Sequence, residues 1–223
     1  MSTSMPAPRI VVVSAGLSQP SSTRLLADRL VEAVRRELAR EGREPQVQVV
    51  ELRELATDIA GHLVTGFPAP VLRQVIGDVT GADAVIAVTP VFAASYSGLF
   101  KSFFDLIEPD ALAGKPVLMG ATGGTARHSL VLDHAMRPLF SYLHATAVPT
   151  AVYAASEDWG GTGDPRTETL PRRVDRAARE LAALLPGERV SPAPEHGAGE
   201  SADAEEEPEV VPFAQQLAAL RPR

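Results

Sequence analysis

A chain of 223 residues that is 45% hydrophobic can bury one full core and is short for two independent domains. It contains no cysteine, which excludes disulfides, thiolate metal ligands and a cysteine nucleophile. The formal charge of −7 argues against a nucleic-acid partner, and no stretch approaches the roughly 18 apolar residues of a membrane span. The opening MSTSMPAPRI lacks the basic and long apolar regions of a secretory signal, so a soluble cytoplasmic protein with no membrane contact is expected.

Residues 9–14 read as a first strand. Residues 23–40 read as an amphipathic helix carrying Leu26, Leu30, Val34 and Leu38 on one face. Between them, SAGLSQPSSTRLL at 14–26 sets hydroxyls and a glycine at a helix N-terminus, where the backbone N–H groups and the dipole favour an anion such as phosphate. The spacing matches neither a Gly-Lys-Ser/Thr phosphate loop nor a GxGxxG turn. Residues 47–52 read as strand two, a weak helix begins near Arg53, and 69–77 read as another helix.

The run AVIAV at 84–88 is β-branched and continuously apolar, as in a strand buried on both faces, and Pro90 is expected to end it. It opens TPVFAASYSGLFKSFFD at 89–105, in which Leu99, Phe100, Phe103, Phe104, Leu106 and Ile107 recur at helical spacing, with Ser95 or Ser97 as N-cap. Pro90, Val91 and Phe92 offer a flat apolar surface at a strand's carboxyl end, the edge at which open α/β sheets bind ligands. Residues 116–121 form strand four. It leads into ATGGTARHS at 121–129, whose Gly123 and Gly124 let backbone approach a polar ring edge. A helix over 129–143 follows, then a fifth strand at 147–154 and a last helix over 166–185. Pro138 lacks the N–H that the His134 carbonyl needs, so a kink or π-bulge is expected at His134. Asp158 and Trp159 follow strand five and read as turn and packing residues, with the site edge as the other reading. The remaining histidines have no metal-site spacing, and no G-x-S-x-G elbow surrounds Ser95 or Ser97.

Five strands alternating with helices imply an α/β fold, a doubly wound five-stranded parallel sheet in three αβα layers. We expect that domain to span residues 1–185. The acidic, Pro/Gly-rich tail at 186–223 carries eight acids against three arginines, reads as a linker, and ends in a short apolar segment through Val211, Phe213, Leu217 and Leu220.

TPVFAASYSGLFKSFFD and ALAGKPVLMGATGGTARHSLVLDHAMRPLFSYLHA, with the looser first loop, resemble the NADPH-dependent FMN reductases of the flavodoxin-like superfamily, and within them the reductase component of two-component flavin monooxygenase systems. The resemblance runs from about Arg9 to Leu185. It implies an NAD(P)H:FMN oxidoreductase that uses FMN and NADPH or NADH and passes reduced flavin to a luciferase-like monooxygenase. On this reading Ser14, Ser22 and Thr23 hold the phosphate, Pro90, Val91, Phe92 and Ser97 hold the ring, and Thr122, Gly123 and Gly124 meet its pyrimidine edge. Arg127 is the candidate for an NADPH phosphate. The resemblance also places His134 at a subunit interface where it modulates flavin retention. The alternatives are a reductase of quinones, azo or nitro compounds with tightly held FMN, and a flavodoxin-type electron carrier, which the near-neutral body disfavours. A homodimer or homotetramer is expected, because Phe92, Tyr96, Phe100 and Phe104 offer more aromatic surface than one crevice uses.

Overall fold

The computed structural model describes residues 7–160 and 168–185. The tail at 186–223, with its reading as a linker, lies outside them, as do the first residues of the expected last helix. In chain order the elements are β1 (Arg9–Ser14), α1 (Ser22–Arg40), β2 (Gln46–Glu51), α2 (Ala56–Thr65), α3 (Pro70–Gly81), β3 (Ala84–Phe92), β4 (Ser95–Tyr96), α4 (Gly98–Phe104), β5 (Pro116–Gly123), α5 (Arg137–Tyr142), β6 (Thr146–Ala147), β7 (Val152–Ala155), α6 (Ser156–Trp159) and α7 (Leu170–Leu184).

The strands line up in the order β2-β1-β3-β5, with β6 and β7 both on the far side of β5. All these pairings are parallel. Successive residues of the central strands feed two separate cores. Val11, Val13, Val85 and Ala87 pack with the phenylalanines of α4, whereas Ile10, Val12, Ile86 and Val88 pack with Leu26 and Leu30 of α1 and Val174 and Leu181 of α7. Helices therefore cover both faces, which is why AVIAV carries no polar residue.

Three expectations need correction, and the π-bulge expected at His134 is present. Strand three does not stop at Pro90 but runs to Phe92 and turns back through β4, pairing Val91 with Tyr96 and Phe92 with Ser95. Val88 accepts a bond from the Ala15 N–H, so Pro90, two residues on, turns its missing N–H to the side where β1 has already ended at Ser14, and no ladder bond is lost. The helix expected over 129–143 is interrupted by that bulge. A π-helical turn at Leu132–Met136 precedes α5, the Arg137 N–H reaches the Leu132 carbonyl five residues back, and Pro138 stands at the start of α5. The fifth strand is interrupted between β6 and β7. There Arg137 donates to the Pro149 carbonyl (3.1 Å) and Glu180 accepts from the Thr150 N–H (2.7 Å), so side chains satisfy an edge that Pro149 cannot pair. Finally, Phe100 and Phe104 are not surplus surface. With Phe103 and Phe140 they form a buried cluster with centroids 4.7–6.2 Å apart, and of the four aromatics proposed as interface only Phe92 is substantially exposed, at 47%.

The approach of α1 to the sheet rests on Gly120 in the middle of β5. A Cβ there would lie 3.3 Å from Leu26 and from both methyls of Val88. Gly120→Val is expected to lower unfolding stability by about 1–3 kcal/mol through overpacking, readable in urea melts, because α1 and β3 would both have to yield.

Candidate active site

The carboxyl ends of β1, β3, β5 and β7 meet at one edge around a cavity of about 450 Å³, within the range of cofactor pockets. Each strand end contributes in turn: Leu17 and Ser18 after β1 with Ser22 and Thr23 of α1, Pro90 to Phe92 at the end of β3, Thr122 to Gly124 at the end of β5, and Ser156 and Trp159 of α6 after β7. The sequence reading placed eight of these here, namely Ser22, Thr23, Pro90, Val91, Phe92, Thr122, Gly123 and Gly124. It missed the contribution of Leu17, Ser18 and Ser156 and favoured a packing role for Trp159. No ionisable side chain lines this cavity among the described residues.

Two expected residues do not line it. Ser14 is buried at 2% exposure at the end of β1. Ser97 is 1% exposed, and its hydroxyl accepts from the Phe100 N–H (3.2 Å) as the N-cap of α4, while its own N–H donates to the Thr89 hydroxyl (3.0 Å). Of the two roles expected for Ser97, the N-cap of α4 is the one the structure shows, and its hydroxyl does not reach the cavity.

At the first loop, Ser21 is the N-cap of α1, accepting from the Arg24 N–H at 3.2 Å. No acid stands in the first turn of this 19-residue helix, so its positive end is uncompensated where it borders the cavity. The buried hydroxyls of Thr23 and Thr122 lie 2.8 Å apart and tie that end of α1 to the end of β5. Arg24 reaches Glu51 (2.6 Å) and Asp28 (2.8 Å), and Arg53 reaches the same Glu51 (2.9 Å), which fixes the loop side of α1 to the end of β2.

At the ring loop the β3–β4 hairpin turns on Ala93 and Ala94, both left-handed with φ of 47° and 65°. Such a two-residue turn ordinarily takes Asn-Gly, and each alanine there stores on the order of 1 kcal/mol of strain. Ala-Ala carries no turn signal, so the sequence did not show this hairpin.

Gly123 and Gly124 divide their roles. A Cβ on Gly124 would meet nothing within 4 Å, leaving its backbone open to a ligand, whereas a Cβ on Gly123 would fall 2.1 Å from the Tyr153 hydroxyl. That hydroxyl donates to the Thr125 carbonyl (2.8 Å), pinning the loop. Burial, reinforced by the Asp158 carboxylate, pushes the Tyr153 phenol above its ordinary value, so it stays a protonated donor throughout the neutral range.

Two other cavities flank this edge. Arg127, His128 and His134 border one of about 340 Å³ with Ala94 and Ser95. The other, about 720 Å³, lies between α4 and the π-turn with α5, and His134 borders it too. It is larger than the strand-end cavity but sits on a helical flank, without the hydroxyl and glycine loops. The exposed imidazole of His134 and the guanidinium of Arg127 thus share a neighbouring cavity and do not line the strand-end one.

Fold and site together define a class: a flavodoxin-like α/β protein with a crevice at the carboxyl ends of its central strands. The family model described as NADPH-dependent FMN reductase matches residues 8–160, and the chain belongs to that family. It is 37% identical over 179 residues to an FMN reductase (NADPH) of Pseudomonas aeruginosa, covering 80% of this chain and 93% of that protein. It is 39% identical over 183 residues to the NADH-dependent FMN reductase SfnE of Pseudomonas putida, covering 82% and 90%. Among solved structures, an oxidoreductase from Corynebacterium diphtheriae shares 45% identity with a TM-score of 0.76 over 80% of this chain and 97% of that one. The apo form of an NADH:FMN oxidoreductase (EMOB) shares 27% with a TM-score of 0.69, over 82% and 92%. A flavodoxin from the Archaea, 13% identical with a TM-score of 0.52, shares the fold. The protein is an NAD(P)H-dependent FMN reductase, with FMN as its flavin and a reduced nicotinamide dinucleotide as electron donor.

Gly123→Ala is expected to cost about 1–3 kcal/mol of stability through the clash with Tyr153. Tyr153→Phe removes the 2.1 Å contact and leaves the ring carbon at 3.2 Å. The double variant is therefore expected to be more stable than the sum of the two single losses, measured as a double-mutant cycle in urea.

Proposed function

We propose that this enzyme treats FMN as a substrate that enters and leaves the strand-end cavity, and that it delivers reduced FMN to a flavin-dependent monooxygenase. The observation that carries the flavin assignment is the meeting, in one cavity, of an uncompensated helix end with hydroxyls, an apolar hairpin face and an open glycine backbone. Ser22 and Thr23 hold the phosphate, Pro90, Val91 and Phe92 the ring, and Thr122 and Gly124 its pyrimidine edge, with Gly123 shaping that loop through Tyr153. The chemistry supplied at the site when FMN is bound is hydride acceptance from the nicotinamide. The chain's part is to stack, orient and exclude water, which fits a lining with no ionisable side chain. The Gly123–Gly124 backbone would offer hydrogen-bond donors to the pyrimidine edge of the bound flavin.

The monooxygenase partner rests on the resemblance of the 89–105 and 111–145 stretches to reductases of two-component systems. A homodimer or homotetramer is consistent with exposed apolar side chains at Val64, Phe67 and Tyr142, which are 86%, 80% and 69% exposed. No helix among the described residues is long and apolar enough to cross a membrane. A cytoplasmic setting supplies the reduced nicotinamide that the reaction consumes.

The deciding experiment is the visible spectrum of the purified protein, followed by NADPH oxidation with and without added FMN. A colourless protein whose turnover requires free FMN is the expected result. A yellow protein that turns over only with a quinone, azo or nitro acceptor would establish the prosthetic-flavin alternative. Ser22→Ala is expected to raise the FMN Kd several-fold by removing one phosphate hydroxyl.

Arg127 has no ion pair or hydrogen bond among the described residues and is free to meet a dinucleotide phosphate. Arg127→Gln should raise the KM for NADPH several-fold, change the KM for NADH little and leave the FMN Kd intact. His134, on the π-turn between two cavities, is assigned to flavin retention through subunit contacts. His134→Ala is expected to change FMN retention together with oligomeric state, and a variant unchanged in retention, turnover and assembly removes His134 from the mechanism.

A further inference from the structure

The loop after β7 lines the strand-end cavity through Ser156 and Trp159 but has been given no role in holding the flavin, and it is tied down by several side-chain bonds. In α6 the Asp158 carboxylate accepts from the Ala155 N–H (2.8 Å) and from Arg173 (2.6 Å), and Arg173 also donates to the Tyr153 carbonyl (2.6 Å). These bonds fix a single helical turn whose last residue, Trp159, is half-buried and borders the strand-end cavity. One face of its indole is covered by Arg29, whose guanidinium carbon lies 4.7 Å from the ring centroid.

Arg29 stands seven residues after Ser22 on α1. Seven residues are nearly two full turns, so the two share one face of the helix, and helical side chains lean toward the N-terminus. An indole resting on Arg29 therefore lies on the α1 side of the cavity, along the helix face that carries Ser22.

We infer that Trp159 is a fourth-loop cofactor contact that covers the ribityl-phosphate end of FMN and slows its release, held in place by Arg29 and the Asp158–Arg173 pair. The inference rests on the flavin reading above and extends it to a strand end outside the three loops already assigned. A preorganised aromatic wall adds retention without ordering cost on binding.

Trp159 is the only tryptophan in the chain, so its fluorescence reports on this position alone. The test measures acrylamide quenching of Trp159 in the full-length protein with and without FMN. It also measures the dissociation constants of FMN, riboflavin and lumiflavin for the wild type, Trp159→Phe and Trp159→Ala. The expected result is that FMN at least halves the acrylamide quenching constant, that Trp159→Ala raises the FMN Kd about tenfold, and that Trp159→Phe stays within about threefold of wild type. Lumiflavin, which has the ring without the ribityl phosphate, should bind the wild type and Trp159→Ala alike. Unchanged quenching overturns the inference even if Trp159→Ala fails to fold, because it is read in the wild type. Equal weakening of lumiflavin and FMN overturns the assignment to the phosphate end. A wild type that binds none of the three flavins overturns the flavin reading itself, a result distinct from flavin binding that is indifferent to Trp159.

Discussion

The close approach of α1 to the sheet at Gly120 is the constraint on which the site depends. With no side chain at that point of β5, Leu26 and Val88 close over it, and the start of α1 comes near enough for Thr23 to meet Thr122 at 2.8 Å. That contact brings a helix end with no acid in its first turn to the carboxyl ends of the central strands. The lining of the cavity at this end follows from it: Ser22 and Thr23 stand at the start of α1, no acid occupies its first turn, and the Thr122–Gly124 loop lies alongside. Were α1 displaced outward by one side chain, the same residues would remain in the sequence without sharing a cavity.

Several residues of the strand-end loops serve architecture where a ligand role would be read from their identity. Ser97 caps α4, Gly123 yields space to the Tyr153 hydroxyl, and Thr89 accepts from the Ser97 N–H inside the protein. These hold loops whose exposed members, Ser22, Phe92 and Gly124, stay open to the strand-end cavity. The left-handed Ala93 and Ala94 fit the same division. Their strain is tolerated because β4 pairs back on β3 and Ser97 anchors the following helix, so the turn has no competing conformation. Tyr153 also joins the two outer loops, bonding Thr125 through its hydroxyl while its own carbonyl accepts from Arg173, which in turn holds Asp158.

The π-turn shows a sequence effect carried through to shape. Pro138 withholds an N–H, the ladder shifts to a five-residue spacing at Arg137, and His134 is left exposed between two cavities instead of on a continuous helix. Arg137, at the end of the shifted turn, is then in reach of the Pro149 carbonyl on the broken edge strand. One missing donor thus reorganises both a helix and the sheet edge beside it.

Much of this was determined by the sequence alone. The alternation of apolar runs with amphipathic segments specified the parallel sheet and its helices, because a strand buried on both faces must be continuously apolar and a covering helix must be striped. The same periodicity located the three loops that hold most of the cavity, and Pro138 announced the break at His134. Only the tertiary structure decided between the two roles the sequence offered Ser97, N-cap and ring contact, burying Ser97 as the cap of α4 and leaving Ser22 open to the cavity. It alone placed Trp159 at the cavity, through an ion pair and a cation–π contact between residues more than ten and a hundred positions apart. It also turned the α4 phenylalanines inward. Such choices depend on contacts distant in sequence, and local pattern records only which face of an element is apolar, not what stands opposite it.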